Sequence, residues 1–300
     1  MGSAFEFVLV ANADEGETLL DECVDEVRRI EFLLTEFSDT SQTFLINQSA
    51  GKKAVRVDDE VYSLLSRCKE ISRLTQGAFD ITSGALKKLY NFKGESFTMP
   101  TDEVIRETLS KVDFNKIQLS ENHEVLLASP GMHISFAAIG KGYAADKVKN
   151  LMITKGIENG VINASGDLTA WGNREDGSPW KIGIADPLVP SSILLWIPIM
   201  NSSVATSGDY ERYFELNGER YSHSINPKTG KPVKGIKSVT IVSPSAELSD
   251  ALATAVFTMG VEVGLDFIEQ LPHTHAIVVD ERNNIGMTSH LKLSKYEGVR

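Results

Sequence analysis

The stretch Ser238 to Gly260 reads SVTIVSPSAELSDALATAVFTMG, and it changes character halfway along. Ser238 to Val242 reads as a strand, Ser245 to Met259 as a helix, and Gly260 stands just past the helix end. On that helix Asp250 and Thr254 are four positions apart, so they face the same way. A carboxylate and a hydroxyl so paired can begin a magnesium shell, because that ion takes hard oxygens in an octahedron. A backbone carbonyl and the phosphate oxygens of a nucleotide would complete it. The same pair also fits a plainer reading, in which Asp250 is favoured by the helix dipole and Thr254 bonds its own helix. Sequence chemistry leaves both open.

Working outward, strand and helix patterns alternate along the chain without repeats, linkers or low-complexity tracts. Residues 4 to 11 (AFEFVLVA) predict an opening strand. From Glu15 to Phe37 the apolar positions Leu19, Leu20, Cys23, Val24, Val27, Ile30, Leu33, Leu34 and Phe37 recur at helical spacing. A second helix starts near Asp58 and Asp59, turns Val61, Leu64, Leu65, Cys68, Ile71 and Leu74 inward, and stops at Gly77. Residues 101 to 112 predict a third helix, followed by strands at Lys116 to Leu119, Val125 to Leu127 and Met132 to Phe136. A helix from Lys141 to Lys155 ends at Gly156. Strands follow at Gly160 to Asn163, Trp180 to Ala185 and Ile193 to Met200, then a hairpin turning at Asn217-Gly218. The pattern predicts one α+β domain over residues 1–300, with two lobes sharing a cleft.

Composition narrows the function classes. Forty-two per cent of the 300 residues are hydrophobic, enough to bury a full core. A net charge of −11 argues against holding nucleic acid or anionic lipid through phosphate contacts. Cys23 and Cys68 are the only cysteines, each at an apolar helical position, so buried thiols are expected and a disulfide framework is not. With no basic n-region and no long apolar run, the chain as written reads as soluble and cytoplasmic. A trimmed export signal would instead put it in the periplasm or on a membrane anchor.

Four glycine loops could meet an anion: Gly77 to Asp80, Gly140 to Gly142, Ala164 to Asp167 and Thr206 to Asp209. Each sits where a strand hands over to a helix or turn, and helix-start amides carry partial positive charge. None has Walker or Rossmann spacing, and each also fits an ordinary turn. His223, in YSHSINPKTG (221–230), can take a proton near neutral pH or serve as a hydrogen-bonded structural residue. The other five histidines show no comparable setting.

Taken in order, the motifs resemble the ApbE family of FAD:protein FMN transferases, over nearly the whole chain. Met1-Gly2-Ser3 resembles the family's Met-Gly-Thr start, and Phe37-Ser38 with Ser41 and Asn47 its first flavin-side segment. GAFDITSGAL (77–86), AAIGKGYAAD (137–146), NASGDLTAWG (163–172) and PWKIGIADP (179–187) follow. VATSGDYERYF (204–214), YSHSINPKTGKPV (221–233) and the 238–260 stretch complete the series.

The resemblance implies an ApbE-like, T-fold-related α+β architecture of mixed or antiparallel sheets with helices, in two closely associated lobes with FAD between them. It implies a Mg2+-dependent enzyme that moves FMN from FAD to a Thr or Ser hydroxyl of a target flavoprotein and releases AMP. Carried over, the metal ligands are Asp250, Thr254 and the carbonyl of Ala138. Flavin and nucleotide contacts fall to Met1, Phe37, Ala78, Phe79, Asp80, Ser135, Lys141 and Ser224, with His223 as base. Ser135 stands where many members have an acid. Asn226 and Lys228 replace an Asp and an Arg, Ala164-Ser165 a glycine pair, and Phe37 a common Tyr. Two rivals share the site: a magnesium-dependent FAD pyrophosphatase giving FMN and AMP, and a flavin binder without turnover.

Overall fold

The computed structural model describes residues 2–90, 99–189, 192–209, 213–216, 219–289 and 291. Met1 and the Asn217-Gly218 turn lie outside them. The chain forms two compact units, each assembled from separate stretches. Unit 1 comprises Met1–Arg29, Ile139–Tyr210 and Gly235–Arg300, and unit 2 comprises Ile30–Ala138 and Glu211–Lys234.

Unit 1 is built on a seven-stranded antiparallel sheet whose strands lie side by side in the order they occur in the chain. They are Glu6–Leu9, Gly160–Ala164, Asp167–Trp171, Ser202–Gly208, Ile236–Ser243, His275–Asp280 and Ile285–Met287. Every residue of Asp167–Trp171 is buried, as a central strand covered on both faces requires. One core cluster gathers Cys23, Ala145, Val148, Met152, Ile162 and Trp171. A second gathers Leu168, Ile184, Ile197, Val204 and Ile277, where the Trp180–Ala185/Ile193–Ile199 hairpin packs. The helices Gly140–Thr154 and Ala246–Met259 approach closely because Gly142 has no side chain. A Cβ there would lie 2.1 Å from the Ala246 carbonyl oxygen and 2.9 Å from the Asp250 Cβ.

Unit 2 carries the helices Gln42–Gln48, Asp59–Leu74, Gly84–Lys87 and Asp102–Leu109. Its three-stranded sheet runs Val55–Arg56, Glu124–Leu127, Ile117–Ser120. Tyr90 packs with Leu86 and Ile225, and its hydroxyl donates to the Gly230 carbonyl at 2.6 Å.

Several expectations need correction. The first helix is Ala13–Leu34, so Phe37 lies beyond it and is 88% exposed rather than turned inward. There Thr35 accepts from the Phe37 amide and Ser41 starts a new helix, which breaks the 3.6-residue period. Leu74, at the last position of its helix, is also exposed. Residues 132–136 are not a strand, because only His133 makes a bridge, to Ser83, while Asn47 takes up the Ile134 backbone. Unpredicted elements include the strands Asp167–Trp171, Ser202–Gly208 and His275–Asp280 and the helix Val261–Glu269. Cys23 and Cys68 are fully buried free thiols, and burial pushes Cys23 up to about 11. Among the described residues no helix is long and apolar enough to cross a membrane.

Candidate active site

In unit 1 the chemistry clusters at two helix starts. The Ala246–Met259 helix is capped by the Ser245 hydroxyl, which accepts from the Leu248 amide at 3.1 Å. The Asp146 carboxylate accepts the Ala246 and Glu247 amides at 3.0 and 2.9 Å. Burial pushes Asp146 above the usual carboxylate range, with the two amides opposing it. The dipole position is therefore held by Asp146. Asp250 lies a turn further in, 5% exposed, and its Oδ2 accepts the Gly142 amide at 3.1 Å, in the first turn of the neighbouring Gly140–Thr154 helix. Thr254 follows one turn on, half-buried. Asp250 is thus fixed by the same close helix approach that demands glycine at 142.

Lys141, also in that first turn, places its Nζ 2.7 Å from Asp167 Oδ2. Asp167 lies in the hairpin that joins two central strands and also accepts the Thr206 amide. Burial pushes its carboxyl up, while the Lys141 ammonium and that amide pull it back. Of the glycine loops, only Gly140 to Gly142 opens a helix of this unit. Ala164 to Asp167 turns into a strand, with Ser165 and Gly166 at positive φ and the Gly166 amide bonded to Asn163. Thr206 to Gly208 lies inside a strand laddered to Ile236–Ser243. A sheet ladder takes up backbone groups that the loop reading would have offered to an anion.

In unit 2, Gln76 and Gly77 take positive φ and end the preceding helix. The Ala78 and Phe79 amides bond the Thr75 carbonyl and hydroxyl, and both side chains are buried, so neither offers its side chain to a ligand. The Asp80 carboxylate accepts the Thr82 amide and hydroxyl at 2.8 and 2.6 Å and the Phe114 amide at 3.1 Å. Burial still leaves its pKa raised. His223 follows the strand Glu219–Ser222 and is half-buried; the Ser224 amide bonds the Ser222 hydroxyl. The next turn is locked by Asn226, whose Oδ1 accepts from Lys228 and Thr229 at 2.8 and 3.3 Å. That is work an Asp would do equally, which accounts for tolerance of the neutral residue.

Unit 2 also joins Ser135, an expected contact residue, to two residues the sequence did not single out, Glu36 and His133. Ser135 donates to Glu36 Oε1 at 2.7 Å, and the other Glu36 oxygen pairs with His133 Nε2. Lys88 Nζ stands 3.1 Å from His133 Nδ1, and Asn47 Nδ2 lies 3.4 Å from its Nε2. Burial alone would raise Glu36, but the His133 and Ser135 bonds and the nearby cations outweigh it, and its pKa is lowered. His133 therefore does have a chemical setting, contrary to expectation. Its partner is 97 positions away in sequence, so only proximity to Phe37 and Ser135 could have hinted at it.

Among the described residues no three His, Cys, Asp or Glu side chains gather to hold a metal ion. The unit 1 donors are one carboxylate and one hydroxyl. That set fits magnesium, which dehydrates reluctantly and is commonly bound through one or two carboxylates plus substrate phosphates.

The ApbE family profile matches residues 1–278. The chain is 31% identical over 283 residues to an FAD:protein FMN transferase of Treponema pallidum, covering 89% of this chain and 78% of that protein. It is 32% identical over 289 residues to one from Klebsiella pneumoniae, covering 95% and 90%. Among solved structures, an ApbE protein from Thermotoga maritima superposes with TM-score 0.90 at 31% identity, covering 96% of this chain and 94% of that one. The apo flavinyl transferase ApbE of Pseudomonas stutzeri gives 0.86 at 27%, covering 96% and 92%.

Proposed function

The chain belongs to the ApbE family, and from that premise we propose that it transfers FMN from FAD to a Thr or Ser hydroxyl of a target flavoprotein. The new bond is a phosphoester. The acceptor oxygen joins the FMN phosphorus, the diphosphate bridge breaks, AMP leaves, and the hydroxyl proton passes to His223. One observation carries the reading: buried Asp250, pinned by the Gly142 amide, with Thr254 one turn on and Lys141 in the adjoining first turn. So few protein donors suit an ion whose shell is finished by substrate phosphate.

Magnesium is assigned to Asp250, Thr254 and the Ala138 carbonyl, and what it supplies when bound is neutralisation of charge on the diphosphate. Lys141 contributes a cation for phosphate oxygen. The exposed Phe37 ring is suited to stack on the isoalloxazine. Ser135, Ser224, Asp80 and the backbones of Ala78 and Phe79 are assigned to the remaining flavin and nucleotide contacts, together with Met1, which lies outside the described residues.

The test is incubation with FAD and magnesium, with and without a flavoprotein acceptor. In-gel flavin fluorescence and AMP are measured together. Label and AMP in equal amounts support transfer. AMP without label points to the pyrophosphatase, and FAD retained without either product points to a binder.

A further inference from the structure

We infer that Asp167 is a positioning residue, holding the Lys141 ammonium in place at the start of the Gly140–Thr154 helix before the flavin diphosphate arrives. The inference rests on the reading that Lys141 meets FAD. Its basis is an asymmetric ion pair. The Asp167 side chain is 2% exposed and the Lys141 side chain 23%, with 2.7 Å between Nζ and Oδ2. The carboxylate is rigidly placed. It lies where two central strands turn into each other, with Ala164 opposite it and the Thr206 amide from the next strand on its oxygen.

Lys141 is the opposite case, a point charge on a flexible stem that loses much rotamer freedom when it must meet a ligand. Pairing it with a fixed buried acid removes that freedom in advance, which is what preorganisation means for affinity. An ammonium has three N–H donors, so it can serve the carboxylate and a phosphate oxygen at once.

A double-mutant cycle separates the two roles. FAD affinity is measured by flavin-fluorescence quenching in the wild type, Asp167→Asn, Lys141→Met and the double variant, with Asp167→Glu in both backgrounds. Asp167→Asn is expected to weaken FAD binding about tenfold when Lys141 is present and less than twofold when it is Met, the non-additivity of residues in contact. Asp167→Glu, which keeps the charge, loses less, and it keeps the cycle readable should the Asn variant not fold. Equal losses in both backgrounds, or none in either, overturn the inference. A Lys141→Met variant that binds FAD as well as wild type overturns the Lys141 assignment and the inference with it. AMP release and protein label would still report on transfer separately.

Discussion

Unit 1 and unit 2 both bury acids, but they hold them by different means. In unit 1 the acids sit on regular elements: Asp146 caps a helix, Asp250 reaches a second helix start, and Asp167 lies at a strand turn against a lysine. In unit 2 the corresponding groups stand on short connecting segments: Glu36 just past a helix, His133 and Ser135 on extended chain, His223 at a strand end. Buried polar groups must be satisfied in either setting. In unit 1 backbone amides satisfy Asp146 and Asp250, while Asp167 also takes a lysine. In unit 2 amides and a hydroxyl likewise satisfy Asp80, whereas Glu36 is held by the side chains of His133 and Ser135.

Asp250→Ala should break the comparison hardest. Magnesium-dependent release of AMP from FAD is expected to fall below detection while circular dichroism stays that of the wild type; undiminished turnover would remove Asp250 from the metal shell. His223→Ala should be milder, slowing transfer by about 10²-fold, in the range of a lost general base, with FAD affinity nearly unchanged. If affinity falls instead of rate, His223 is a binding residue.

Gly142→Ala tests whether unit 1 depends on close helix packing. The added methyl meets the Ala246 carbonyl, so stability is expected to drop by about 1–3 kcal/mol in urea unfolding, as overpacking does. Asp250 would lose its place together with that stability. A variant with wild-type stability and activity would show that the helices can part without cost.

The smallest effects concern pH, and they should have opposite signs for Glu36 in unit 2 and Asp146 in unit 1. Glu36 has a lowered folded-state pKa, so its contribution is present above the ordinary carboxylate range and is lost as pH falls through the folded value. Glu36→Gln should cost about 2 kcal/mol at pH 7, and that cost should shrink below the ordinary value of 4.5. Asp146 has a raised pKa, so the folded state binds the extra proton and gains stability as pH falls through that value. Wild type should therefore improve relative to Asp146→Asn on acidification. Parallel pH profiles for the two variants would erase the distinction drawn between these two carboxylates.

Legibility in the sequence followed the same division. The helices Asp59–Leu74, Gly140–Thr154 and Ala246–Met259 were readable because their apolar residues repeat every three or four positions and glycine follows soon after each end. Ser202–Gly208 was not, because VATSG carries hydroxyls and small residues that resemble a loop until sheet neighbours bury them on both sides. Phe37 matched helical spacing by coincidence, since nothing local marks Leu34 as the last helical residue.

By itself the sequence determined the α+β class, the strand-to-helix passage that puts Asp250 and Thr254 one turn apart, and the ordered motifs that resemble the family. Those features depend on neighbours within a few positions, where backbone geometry sets which side chains share a face. Tertiary structure alone decided that Asp250 reaches Gly142, that Asp167 meets Lys141, and that Glu36 joins His133 to Ser135. These partners lie far apart along the chain, and only the packing of buried surfaces determines which distant polar groups meet once water has been excluded around them.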